Sequence, residues 1–206
     1  EAHFSLVSNF DKKQRRKYQL ESQGSLLITH WGLSGFGVLR MSAWAARALA
    51  DLNYQANLQV NWLYPLSEKE VESKILKLKS DWSKKKVQSQ SPFQSITARL
   101  WKSFVNHALE NKEKNWADLN KKELQQLTKN LSNAIFQING KSTFKEEFVT
   151  AGGVALKEIN FKRFESKLLP NLFMAGEILN IDAVTGGFNF QAAWTGGWLA
   201  GKAMAE

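Results

Sequence analysis

Between Asn171 and Gly201 the chain carries two charged residues, Glu177 and Asp182, and six of its thirteen glycines. A stretch so poor in charge cannot be an ordinary solvated surface, because exposed segments are normally rich in Lys, Glu, Arg and Asp. It must pack closely against something: backbone, a cofactor, or a further domain. Leu172–Ala175 is expected as a short buried strand, and Gly176–Asp182 as the loop that follows it. Thr185-Gly-Gly-Phe-Asn189 then opens a helix running to about Ala205. On that helix Ala193, Gly197 and Gly201 recur four residues apart. Such a face admits a very close neighbour, at a cost of about 1 kcal/mol of helix propensity per glycine.

Composition narrows the chemistry. The 206 residues contain 43% hydrophobic and 23% charged side chains, enough for one sizeable core and one to two domains. There is no cysteine, which excludes disulfides, thiolate metal sites, iron–sulfur clusters and a cysteine nucleophile. His3, His30 and His107 lie too far apart for a familiar zinc motif. No stretch reaches the roughly 18 apolar residues of a membrane span, so a cytoplasmic protein without a membrane partner is expected. The net charge is +9. It gathers in two runs, Lys12, Lys13, Arg15, Arg16 and Lys17, then Lys74, Lys77, Lys79, Lys84, Lys85 and Lys86. The second run is diluted by Glu68, Glu70, Glu72 and Asp81, and the tryptophans Trp62, Trp101 and Trp194 sit at core-like spacings rather than among the lysines. A solvated basic face is therefore favoured over a nucleic-acid surface.

Periodicity indicates a mixed α and β protein. Strands are expected over His3–Ser8, Tyr18–Glu21 and Ser25–Thr29. A helix follows over about Val38–Leu52, with Leu39, Ala43, Ala46 and Ala50 on one face. Tyr54–Leu63 alternates Leu58, Val60 and Trp62 with Gln55, Asn57, Gln59 and Asn61, as a half-buried strand does. Ser67 is a candidate N-cap for a helix carrying Val71, Ile75 and Leu78, with acids in its first turn. Another helix is expected from Pro92 through Ile96, Leu100, Phe104 and His107. A third, capped by Asn120, spans Leu124–Leu131. Asn139-Gly140 suits a tight hairpin turn, with a strand from Phe144 to Val149 after it.

Two glycine clusters invite a functional reading. Gly32-x-x-Gly35-x-Gly37 joins a strand to a helix, as phosphate-binding turns do, but its spacing is the reverse of the dinucleotide fingerprint and no acid ends a following strand. A tight structural turn is favoured. The adjacent His30 has no acid or nucleophile near it in sequence, so it reads as a packed residue. The second cluster is Gly176-Glu177 followed by Thr185-Gly186-Gly187-Phe188-Asn189 at a helix start. An acid there can accept hydrogen bonds from ribityl or ribose hydroxyls. Glycines let backbone approach a flat ring, and free helix amides stabilise negative charge on a reduced flavin. A tight turn with a capping asparagine accounts for the same spacing equally well.

Four blocks of sequence resemble one family. They are Thr29-His-Trp-Gly-Leu-Ser-Gly35, Val149-Thr-Ala-Gly-Gly-Val-Ala-Leu-Lys-Glu158, Glu165-Ser-Lys167, and Leu172-Phe-Met-Ala-Gly-Glu-Ile-Leu-Asn-Ile-Asp182 with Thr185-Gly-Gly-Phe-Asn189. In this order they resemble the BaiN/YhiN-like NAD(P)/FAD-dependent oxidoreductases of bacteria, also called the aminoacetone oxidase family. The resemblance implies an α+β fold: a β-barrel-like and helical domain, inserted into a glutathione-reductase-like FAD-binding domain. Residues 1–143 would be that insertion, incomplete at its N-terminus, and residues 144–206 the C-terminal part of the FAD domain. A Rossmann segment holding the ADP half of FAD would precede it, which makes this chain a fragment of the whole.

The same resemblance places FAD near Gly153, Gly176, Glu177, Asp182, Thr185, Gly186, Gly187, Phe188 and Asn189. Glu177 would meet the ribityl or pyrophosphate region. Gly187, Phe188 and Asn189 would lie at the pyrimidine edge of the ring, with Ala151–Gly153 on its substrate side. Phe36 and Gly37 stand where the family commonly has proline and alanine, and Asn180 where it has an acid. The implied function is flavin-mediated hydride or electron transfer on a small-molecule substrate, with NAD(P)H as a candidate donor and the fragment inactive alone. A basic nucleic-acid-binding module without redox activity is the alternative. No catalytic side chain and no metal ligand is identified.

Overall fold

The structure, a computed structural model, describes residues 2–8, 10, 18, 20–141 and 148–206. The basic run Lys12–Lys17 and most of the strand expected from Phe144 lie outside these residues. Phe148 and Val149, at that strand's end, carry no strand. The chain divides into two compact units, residues 1–38 with 55–139, and residues 39–54 with 140–206. Residues 39–54 group with the C-terminal segment rather than with their sequence neighbours.

The first unit is built on an antiparallel sheet of β1 (Ala2–Val7), β2 (Glu21–Gly24), β5 (Gln55–Asn61) and β6 (Ala134–Asn139), in the order β2-β1-β5-β6. Alternation decides which face is buried. Phe4 and Leu6 on β1 and Leu58 and Val60 on β5 are buried, while Gln55 and Asn57 are exposed. Phe4 pairs with Val60 and Leu6 with Leu58, so one register serves the whole apolar face. Two further strands of two residues, β3 (Leu27–Ile28) and β4 (Leu33–Ser34), form a small hairpin. The Gly32–Gly37 turn after it is structural. A Cβ on Gly35 would lie 2.7 Å from the Ser25 carbonyl, and one on Gly37 would lie 2.5 Å from the Phe4 ring. Protein thus closes round Gly35 and Gly37, while an added Cβ on Gly32 would meet nothing within 4 Å. His30, expected to be packed, is exposed in the bend beside it.

Among the described residues this unit has three helices: α2 (Glu68–Asp81), α3 (Ala98–Ala108) and α4 (Lys121–Ser132). Both capping boxes form as the residue types require, Ser67 with Glu70 and Asn120 with Glu123. The helix expected from Pro92 begins later, at Ala98. Ser91 instead turns the chain by bonding at Phe93, and Ile96 donates its amide back to the Phe93 carbonyl. Trp101 and Trp116 stack at the centre, with Trp82 and Phe93 edge-on to them. Trp101 donates its Nε1–H to the Val87 carbonyl at 2.8 Å. Trp62 joins sheet to helices: its ring meets Phe104 edge-on, and its amide donates to the Leu131 carbonyl.

Helix α1 (Phe36–Asp51) runs from the end of the Gly32–Gly37 turn, and from Leu39 onward it belongs to the second unit. Its buried residues are Gly37, Met41, Ala45 and Ala48, on the side of the helix opposite the face expected at Leu39, Ala43, Ala46 and Ala50. Among the described residues, the rest of that unit has little regular structure before α5 (Phe188–Met204). It contains a two-residue hairpin of β7 (Ile159–Asn160) and β8 (Glu165–Ser166), and short 3-10 turns. Its buried cluster is small: Ile159, Phe164, Leu179 and Ala200. Leu172–Ala175 is not a strand. Only Phe173 bridges, antiparallel to Glu165, between positive-φ residues at Asn171 and Gly176.

Candidate functional site

The site is built on the loop from Gly176 to Asp182. Gly176–Ile178 makes one 3-10 turn, and Leu179 anchors it by complete burial. Val154 runs parallel to Leu179: its amide donates to the Ile178 carbonyl at 2.8 Å, and the Asn180 amide donates back to the Val154 carbonyl at 3.0 Å. Gly153 makes this approach possible. A Cβ there would sit 2.5 Å from the Ile178 oxygen, and its φ of +119° is one that side chains avoid. The glycine thus serves a backbone-to-backbone contact within the protein.

The other end of the loop is held by a side chain from α1. Arg47 donates to both carboxylate oxygens of Asp182, at 2.8 and 3.0 Å, and to Asn180 Oδ1 at 2.7 Å. The candidate ligand Asp182 is therefore engaged as an anchor. Glu177 is exposed, and none of the described residues bonds its carboxylate.

Beyond Asp182 the chain turns into α5. Asn189 closes the turn twice over: its Oδ1 accepts from the Ala183 amide at 2.8 Å, and its Nδ2 donates to the Ala183 carbonyl at 2.9 Å. This side chain braces the turn. Gly187 is the N-cap at φ +87°, without a side-chain cap bond, and Thr185, Gly186, Gly187 and Phe188 are all exposed. The first intrahelical bond runs from the Gln191 amide to the Gly187 carbonyl. The amides of Phe188, Asn189 and Phe190 have no intrahelical acceptor, as at any helix start. A Cβ on Gly187 would meet nothing within 4 Å, so backbone stands open there.

The sequence-predicted residues thus fall into two groups. Gly153, Asp182 and Asn189 fasten the loops. Gly176, Glu177, Thr185, Gly186, Gly187 and Phe188 belong to the 3-10 turn and the glycine turn. Arg47 escaped sequence reading altogether, because more than 130 residues separate it from its partners and nothing local marks it. The small-residue face of α5 is also displaced. Gly197 and Gly201 are exposed, and the close neighbour belongs to Gly196, where a Cβ would come within 2.6 Å of the Phe164 ring. Trp194 is 69% exposed rather than buried, in line with Phe190 at 68% and Trp198 at 66%.

Nearby, Arg163 clasps Glu165 and Glu206 and donates to the Ala203 carbonyl, tying the β7–β8 hairpin to the end of α5. The Asn171 amide, and then Arg163, hold the Glu165 carboxyl below its usual pKa. Among the described residues no group of three His, Cys, Asp or Glu side chains is placed to hold a metal ion, and no helix is long and apolar enough to cross a membrane.

Comparison with known proteins accounts for the architecture. The chain is 26% identical over 195 residues to a 3-dehydro-bile acid delta(4,6)-reductase of Clostridium scindens, across 93% of this chain and 46% of that protein. Over 186 residues it is 26% identical to a ribosomal RNA dihydrouridine synthase of Escherichia coli, covering 86% of this chain and 42% of the relative. A protein of the same description from Haemophilus influenzae is 28% identical over 181 residues, 88% of this chain and 42% of its own. The chain spans less than half the length of each. Residues 6–149 match the HI0933-like protein barrel and H2TH domain, a domain of BaiN/YhiN-type flavoproteins, in agreement with an antiparallel sheet followed by a helical trio. The chain belongs to the HI0933-like family.

Proposed function

We propose that this chain supplies the isoalloxazine side of an FAD site in an oxidoreductase. Family membership and the reductase relative support a flavoprotein oxidoreductase. The observation that carries the finer reading is the exposed Gly186–Gly187 turn at the start of the 17-residue helix α5. Its open backbone and uncapped amides match the flat face and the electron-rich N1/O2 edge of a flavin. Glu177, exposed and unpaired among the described residues, matches a run of hydroxyls. These residue types fit the group. When bound, the flavin would supply hydride transfer, with NAD(P)H as the proposed donor. The protein's part is to bind and orient: α5 amides toward negative charge, Glu177 toward hydroxyls, and Asn189, Gly153 and Arg47 as the frame behind them.

A separate Rossmann segment of the same protein is proposed to hold the ADP half. The exposed line Phe190, Trp194 and Trp198 on α5 supports that partner, since so large an apolar strip on a monomer marks a surface that is covered.

A small-molecule substrate is proposed. The names of the relatives describe reduction in a bile acid and in ribosomal RNA. Both activities add hydrogen across a carbon–carbon double bond, so that chemistry is the shared expectation. One observation favours RNA as a second reading: the first unit holds 19 basic against 11 acidic residues, the second 9 against 8. The visible spectrum of the purified full-length protein tests the cofactor assignment. Flavin absorbance is expected, whereas a colourless protein that FAD cannot reconstitute would overturn it. Oxidation of the reduced protein by rRNA or by a small enone then separates the substrates.

A further inference from the structure

We propose that Arg47 is a positioning residue for the cofactor, acting through the loop that carries Glu177. The proposal rests on the flavin reading above. Three charge-assisted bonds leave one guanidinium: two to the Asp182 carboxylate, at 2.8 and 3.0 Å, and one to Asn180 Oδ1, at 2.7 Å. A planar fork satisfies two acceptors at fixed angles, which a lysine ammonium does not. The Asp182 side chain is 13% exposed and the Arg47 side chain 42%, so the carboxylate is sheltered while its cation reaches solvent.

Geometry gives the bond its purpose. Residues 178–180 are already held on their backbone side by Val154 and by the close approach of Gly153. Beyond that ladder Arg47 grips Asn180 and Asp182 together, beside Ala183, which Asn189 braces. Charge is matched as well. Asn180 is a neutral acceptor and Asp182 a charged one, so within this loop the Arg47 charge meets the Asp182 carboxylate, while Glu177 is exposed. Helix α1 therefore contributes to the site without facing it: it sets the angle at which Glu177 and the glycine turn are presented.

The test uses full-length protein stripped of cofactor. FAD dissociation constants and melting temperatures are measured for wild type, Arg47→Gln, Arg47→Lys, Asp182→Asn and the Arg47→Gln/Asp182→Asn double variant. Arg47→Gln is expected to weaken FAD binding about tenfold, with Arg47→Lys recovering only part and the double variant no worse than the worse single. Asn180→Ala keeps the ion pair, remains available if Arg47→Gln does not fold, and is expected to weaken binding about threefold. Wild-type FAD affinity in folded Arg47→Gln or Asn180→Ala, even with a lowered melting temperature, would make the clamp merely structural and overturn the proposal. Absence of FAD binding by wild type would instead overturn the flavin reading beneath it.

Discussion

Gly153 and Gly187 are both positive-φ glycines, yet they differ in what surrounds them. A methyl group on Gly153 would collide with backbone at Ile178 and Leu179, atoms that cannot step aside without breaking the Val154 bridge. On Gly187 it would meet open space, and only the φ of +87° would be strained. Gly153→Ala should therefore cost roughly 3 kcal/mol or more, by clash and strain together. Gly187→Ala should cost about 1–2 kcal/mol. Chemical denaturation of the two variants measures the difference, and equal losses would contradict the close approach at Gly153. At Gly187 the larger effect should fall on FAD affinity, because an added methyl stands where the ring is proposed to lie.

Glu123 is the sharpest electrostatic feature of the helical trio. Burial, the largest influence, pushes its carboxyl up. Bonds from Lys114 Nζ at 2.7 Å and from the amides of Asn120 and Glu110 outweigh burial and hold the pKa below the ordinary 4.5. Folding thus lowers this pKa. The stabilisation is complete above pH 4.5 and is lost as the pH falls through the lowered value. Lys114→Met should raise the Glu123 pKa and destabilise the unit by roughly 3 kcal/mol, because it leaves a buried carboxylate without its cation. A denaturation series from pH 3 to 7 checks both effects, with about 3 and 7 serving only as brackets around the lost contribution.

At the scale of elements, signals contained within one turn were legible. Ser67 and Asn120 were recognisable as caps because the capping box spans four residues. Asn120→Ala should cost about 1 kcal/mol in thermal unfolding. The alternation of β5 was equally plain, since each side chain's face follows from its neighbour's. Failures came where tertiary contacts decide. Pro92 marks a helix start by residue type, but Ser91 and Phe93 form a turn instead. Leu172–Ala175 has strand composition and no strand to pair with beyond Phe173. On α5 the sequence offered several small-residue faces, and only the Phe164 ring decides that Gly196 is the one used. Within the site, the glycine turn and Glu177 were visible as motifs. The structure places Asp182 and Asn189 in bracing bonds, and Arg47 was invisible.

The molecule as a whole is asymmetric. Basic charge belongs to the sheet-and-helix unit, and the aligned exposed rings Phe190, Trp194 and Trp198 to the other. A covered α5 explains the second half of that contrast. In the full-length protein Trp194→Glu should lower thermal stability and release FAD together, because it places a charge on the face that the Rossmann segment is proposed to cover. An unchanged melting temperature would show that this face is solvated. The central claim, that this chain is one side of an FAD site completed elsewhere in the protein, has a direct test. FAD is titrated by flavin fluorescence into the 206-residue chain alone and into the cofactor-stripped full-length protein. The account predicts weak or undetectable binding by the chain and sub-micromolar binding by the whole; tight binding by the chain alone, or none by either, would contradict it.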